Sequence, residues 1–246
     1  EPVQSRVRRL SEQLRRYLSD QAFLEDRRVV QLIRSIEQSA LDVRDREAAR
    51  ALVDEVGRER GLDLLVNNAG GQFVAPAAQI SPRGFAAVLD LNLTAVVALT
   101  EAARPWLAAR NGRVVALSLS SPERGIAGLA HSATARAGVA ALYRRWAAEW
   151  RADGIALFCL APGTVLTAGV GEELPGSTLD DVLAATPLGR DTGPDEVAEW
   201  VAALGAGLAD GLSGSLLELD GGSGLAGAAS ALAGVSTPKA KGARPG

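Results

Sequence analysis

Leu62-Asp63-Leu64-Leu65-Val66-Asn67-Asn68-Ala69-Gly70-Gly71 is the stretch that decides the fold. Its first six residues form a nearly continuous apolar run, the pattern of a strand covered on both faces, and the small residues behind them mark a turn. Downstream, Ser81-Pro82 caps a helix, with proline at its favoured first position. A long helix follows Asn92 and runs to about Arg110, where Asn111-Gly112 ends it. Residues 113–118 read as the next strand. Residues 132–151 read as a helix, because Ala137, Val139, Leu142, Trp146 and Trp150 recur mostly at three- and four-residue intervals. Residues 155–160 form another strand, Pro194-Asp195-Glu196 opens a helix, and 215–219 is the last strand. Upstream, 46–59 reads as a helix and Ala40-Leu41-Asp42-Val43 as a short strand. Strand-helix alternation of this kind predicts an α/β fold with a doubly wound parallel sheet.

The first 41 residues contain no glycine, although the chain has 27. Val3, Val7, Leu10, Leu14 and Tyr17 repeat at intervals of four and three, and Val29, Ile33, Ile36 and Ala40 resume the spacing after Ser19-Asp20. This predicts a helical hairpin. A strand over 28–33 is the competing reading, but six residues between Ile33 and Ala40 are too few for a parallel crossover. The expected organisation is therefore a helical segment over 1–39, an α/β domain over 40–222 and a flexible Ala/Gly-rich tail over 223–246. The basic face of the hairpin, with Arg6, Arg8, Arg9, Arg15 and Arg16, could dock a second chain. Packing on its own sheet is the more economical expectation.

The net charge of −3 offers no basic field for nucleic acid, and neither a secretory leader nor an apolar run long enough to cross a bilayer is visible. A soluble, cytoplasmic protein with no nucleic-acid or membrane partner is expected. With Cys159 as the sole cysteine and His131 as the sole histidine, an intrachain disulfide is excluded and no zinc site is expected. Both lysines, Lys239 and Lys241, lie in the tail, so the body carries positive charge as arginine alone.

Four motifs occur in order: Asn67-Asn68-Ala69-Gly70, Leu91-Asn92-Leu93-Thr94, Pro162-Gly163-Thr164-Val165-Leu166-Thr167 and Leu219-Asp220-Gly221-Gly222. Together they resemble the short-chain dehydrogenase/reductase superfamily, which implies a Rossmann-like sheet and an NAD(P) cofactor. By that resemblance Asp42 and Val43 border the adenine, Asn68, Ala69 and Gly70 let the dinucleotide approach the backbone, and Pro162, Gly163 and Thr167 line the nicotinamide side. Gly71-Gln72-Phe73 and His131-Ser132-Ala133-Thr134-Ala135-Arg136-Ala137-Gly138-Val139 look most like the enoyl-CoA and acyl-CoA reductase branch, implying an acyl-CoA ligand. Relatives associate through helices corresponding to 92–110 and 132–151, so a homo- or hetero-oligomer with short-chain reductase subunits is implied.

Departures from the family are equally specific. Where the family has Tyr-x-x-x-Lys the chain has Ser132-x-x-x-Arg136, and Leu119 occupies the serine position, with Ser118, Ser120 and Ser121 beside it. A register placing Ala140 and Arg144 there restores neither residue. The catalytic set by resemblance is thus Asn92, Ser132 and Arg136. Arginine stays charged and passes no proton, although its fork of donors suits a ribose or phosphate. Tyr143 lies about three helical turns beyond Ser132, a poor position for reaching the site. His131 either shuttles a proton or caps and packs a helix start, and the Ser132 hydroxyl suits an N-cap. A glycine-rich pyrophosphate turn has no counterpart in the glycine-free segment, and no room remains upstream of Asp42 for the family's first strand-helix-strand unit. The leading expectation is a degenerate, noncatalytic subunit or binding protein derived from an acyl-CoA reductase. An active NAD(P)-dependent oxidoreductase with an atypical site is the alternative, and an incomplete or rearranged gene product, given the start at Glu1, is a third.

Overall fold

The computed structural model describes residues 41–120, 128–165, 184 and 186–225. The helical hairpin expected over 1–39, the position of Thr167 and the tail beyond Leu225 lie outside these residues. Helix α1 (Arg46–Arg60) is capped by Asp45, whose side chain accepts from the Ala48 N–H, and Gly61 stops it at φ 75°. Strand β1 (Leu64–Asn67) follows. Helix α2 (Pro82–Leu89) starts as expected, with the Ser81 hydroxyl accepting from the Gly84 N–H and proline in its first turn.

The chain does not restart a helix at Asn92. A π turn over Asp90–Thr94 joins α2 to α3 (Ala95–Ala108), making one continuous helix from Pro82 to Ala108. This unit is long and apolar enough to cross a bilayer by length and composition, which a reading that divides it in two does not reveal. Its Ala103 and Leu107 are fully buried against the sheet side of the molecule's core. Asn111, in the left-handed region at φ 49°, turns the chain out of it, and the Gly112 N–H returns to the Leu107 carbonyl.

Strand β2 (Arg113–Leu117), helix α4 (Ala130–Glu149), strand β3 (Ala156–Pro162), helix α5 (Pro194–Gly205) and strand β4 (Leu216–Leu219) follow among the described residues. The four strands are all parallel, in the order β1-β2-β3-β4. Alternation along each strand sends side chains to two separate cores. Val114, Ala116, Leu157 and Cys159 pack with residues of α1, α3 and α4, including Val53, Leu107, Val139 and Trp146. Leu64, Val115, Phe158 and Leu160 pack against Val201 and Leu204 of α5. Helices on both faces make this the expected doubly wound, Rossmann-like sheet.

Two local expectations are corrected here. Leu41, Asp42 and Val43 form no strand, because the Asp45 N–H closes a turn on the Asp42 carbonyl as the chain enters α1. Ser132 is not an N-cap, since α4 begins two residues earlier at Ala130, with Leu129 at the cap position and no side-chain cap bond. Of the tail expected over 223–246, only Ser223, Gly224 and Leu225 are described, and these are helical.

Candidate functional site

The C-terminal ends of four parallel strands bring Asn67, Leu117, Pro162 and Leu219 to one edge of the sheet, where open α/β folds place their ligand crevices. Asn92 enters this edge from the π turn and is fully buried. Its Nδ2 donates to the carbonyls of Gly71, at 2.7 Å, and Val88, at 3.0 Å, and its Oδ1 accepts from the Gly71 N–H at 3.2 Å. Both polar groups of one peptide residue are thus held by one side chain. The loop after β1 cannot drift.

Arg136 reaches the same place from the first turns of α4. Its Nη1 donates to the Leu117 carbonyl at the end of β2. A Cβ on Gly70 would lie 2.6 Å from Arg136 Nη2 and 2.8 Å from Asn92 Oδ1, so a larger residue there would displace one of these two side chains. The residue is only part-buried, but its Nε is shielded from solvent and has no partner among the described residues. Desolvation lowers the guanidinium pKa to about 10. The group therefore remains charged at neutral pH, and no carboxylate pairs with it among the described residues. An uncompensated, shielded cation is costly to keep.

One turn earlier, Ser132 is fully buried and its hydroxyl donates to Gln72 Oε1 at 2.5 Å. With Oε1 engaged, the donor end of the Gln72 amide is its Nε2 pair. His131 accepts the Ser132 N–H on Nδ1 at 2.8 Å and sets its ring edge-on to Phe73, with centroids 4.4 Å apart. It therefore satisfies a first-turn N–H and packs. With Nδ1 accepting, the remaining proton belongs on Nε2, which is buried with no partner among the described residues. Tyr143 does not open onto the edge; it is buried, and its hydroxyl meets Asn67 from beneath the site.

The expected cofactor residues divide into three groups. Val43, Asn68 and Ala69 line one cleft with Leu91, Val96 and Leu99. Pro162 pairs with Leu219, and Gly163 packs so closely on Asp220 that a Cβ would come within 3.0 Å of its Cα. Asp42 stands apart in an exposed turn, where Arg44 grips its carboxylate through Nε and Nη2 and, with its own backbone N–H, lowers the pKa to about 2. Asp220 organises the last loop. Burial would raise its pKa, but the N–H groups of Gly224 and Gly222 and the hydroxyls of Ser223 and Ser120 outweigh that and lower it.

The sequence motifs contain Gln72 without indicating its role and give no sign of the Leu117 carbonyl, whereas Tyr143 is kept from the edge as its distance from Ser132 along the helix implies. The Gly71-Gln72-Phe73 motif is the available signal for the first; a backbone carbonyl has none.

Three comparisons bear on this geometry. The family described as enoyl-(acyl carrier protein) reductase matches residues 14–224, reaching upstream of Ala40. A probable 2,4-dienoyl-CoA reductase of Bacillus subtilis (strain 168) is 35% identical over 188 residues, 74% of each chain. A 3-oxoacyl-(acyl-carrier-protein) reductase of Thermotoga maritima is 31% identical over 189 residues, 76% of each chain. Among solved structures, a proposed NAD(P) dependent gluconate 5-dehydrogenase from Beutenbergia cavernae with bound NADP superposes with a TM-score of 0.71. It is 31% identical, and 76% of each chain is covered.

Proposed function

Because the chain belongs to the short-chain dehydrogenase/reductase superfamily, near its enoyl-CoA reductase branch, we propose that it is an NAD(P)-dependent oxidoreductase acting on an acyl thioester. The observation that carries this reading is Arg136, a shielded guanidinium with an unpartnered Nε and no carboxylate beside it among the described residues. A ribose hydroxyl or phosphate oxygen would satisfy that donor. The cleft lined by Val43, Asn68 and Ala69 lies on this side, and the residues present fit a dinucleotide there. Val43, Asn68 and Ala69 would hold its adenine half, Arg136 a ribose, and Pro162 and Gly163 the nicotinamide side. When bound, the cofactor supplies a hydride.

The chain's own groups account for orientation and charge. Asn92 fixes Gly71, so Gln72 leaves a rigid backbone. Ser132 holds Oε1 of Gln72, and the Nε2 hydrogens are the donors for a thioester carbonyl. The Arg136 charge favours negative charge developing nearby on the substrate, and it acts in a shielded setting where charge counts for more than in water. Helix faces over 92–110 and 132–151 would join it to like subunits in the cytoplasm.

A second reading, a noncatalytic binding subunit, is favoured by one observation. Of the described groups that could give a proton here, Arg136 stays charged, Ser132 is committed to Gln72, His131 is buried with Nδ1 accepting the Ser132 N–H and its ring packed on Phe73, and Tyr143 is locked in the core with its pKa raised by burial. Titration with NADPH and NADH, followed by turnover assays on a 2-enoyl-CoA and a 3-ketoacyl-CoA, separates the two. Turnover of either thioester is the expected result. A protein that neither binds the cofactor nor turns over either substrate overturns the first reading and leaves the second.

A further inference from the structure

The proposed reaction leaves buried titratable side chains unused, among them His131, Cys159 and Tyr143. Tyr143 is 1% exposed, and its hydroxyl lies 2.8 Å from Asn67 Nδ2 and 2.9 Å from Thr100 Oγ1. Counting hydrogens settles who donates. Asn67 Nδ2 donates to Tyr143 and, at 3.0 Å, to Thr100, while the Thr100 hydroxyl gives its own hydrogen to the Val96 carbonyl at 2.7 Å. The phenol hydrogen must therefore go to Thr100 Oγ1. Desolvation keeps the phenol protonated by raising its pKa. The result is a closed ring of three side chains joining β1, α3 and α4.

What this ring controls is the exit from β1. Asn67 is the last residue of the strand, and its Oδ1 has no partner among the described residues, so Nδ2 alone sets its orientation. Immediately beyond it, Asn68 and Ala69 line the cleft and Gly70 lies against Arg136 and Asn92. We propose that Tyr143 is a positioning residue whose hydroxyl, acting through Asn67, sets the course of Asn68-Ala69-Gly70 along the wall of the ligand cleft. The link to a ligand rests on the reading of this loop as the border of a dinucleotide; the link to the loop does not.

Tyr143→Phe keeps the ring, and with it the contact to Trp146 at 6.0 Å between centroids, and removes only the hydroxyl. Amide hydrogen exchange on the full chain gives the test. Exchange at residues 68–71 should rise about ten-fold, the factor for roughly one net buried hydrogen bond, while Val114, Val115 and Ala116 of β2 hold their rates. In an Asn67→Ala background the same substitution should add nothing at 68–71, because the path runs through Asn67. Unchanged exchange at 68–71, an equal rise in β2, or an undiminished effect without the Asn67 amide overturns the proposal. Should Tyr143→Phe not fold, Thr100→Val removes the phenol's acceptor while leaving the tyrosine in place, and the same comparison decides. Parallel NADPH titration keeps the two readings apart. A wild-type protein that binds no NADPH removes the cofactor reading, whereas wild-type binding weakened about ten-fold in Tyr143→Phe supports both.

Discussion

Arg136 holds a charge in a place where water is largely shut out, with the Leu117 carbonyl as its partner and no carboxylate beside it among the described residues. Replacing it with methionine keeps an unbranched chain of similar length and removes the desolvated charge. We expect Arg136→Met to stabilise the ligand-free protein by about 1 kcal/mol, read from urea midpoints, and to abolish NADPH binding. Loss of stability instead would mean that the bond to Leu117 outweighs the burial of charge. Asp220 has the opposite balance. Its pKa is lowered in the folded state, so its contribution is fully present above the ordinary carboxylate range and is lost as pH falls through the lowered folded value. Asp220→Asn should cost about 1–2 kcal/mol at neutral pH through weakened charge-assisted bonds. The gap from wild type should narrow as pH drops below about 4, measured as thermal midpoints across a pH series.

The long helix shows how an element carries a site residue. A π turn at Asp90–Thr94 admits one extra residue to the ladder and places Asn92 in the interior, where it holds Gly71 by both backbone groups. Asn92→Ala strands the Gly71 N–H and carbonyl together. We expect a loss of about 2–3 kcal/mol in urea unfolding and faster amide exchange at Gly71. Strands β2 and β3 were legible within two residues at either end, because a strand buried on both faces needs an unbroken apolar run. The joining of α2 to α3 was not legible. Asn92 looked like a helix start because a buried amide is expensive unless satisfied, and its partner comes from a loop 21 residues away. The short strand expected over residues 40–43 failed in its described part for a local reason, since Asp42 makes both a backbone turn to Asp45 and an ion pair with Arg44.

At the scale of the whole molecule, two cores on opposite faces of one sheet hold the strand ends in register. Among the described residues the α5 face is the smaller, with Val201 and the fully buried Leu204 over Val115 and Phe158. Leu204→Ala should therefore cost about 2–5 kcal/mol, measured by urea denaturation, although it lies on the helix rather than at the site. Apolar runs and the order of four short motifs determined, from sequence alone, a parallel Rossmann-like sheet with its polar residues gathered at the strand ends. Periodicity and steric turn requirements are local, so the sequence expresses them directly. Tertiary structure decided the pairings: Gln72 with Ser132 across 60 positions, Asn67 with Tyr143 across 76, and Arg136 with a carbonyl that no side-chain pattern encodes. Those depend on how closely packed helices bring polar atoms to within about 3 Å, a distance set by the whole core and not by any one segment of the chain.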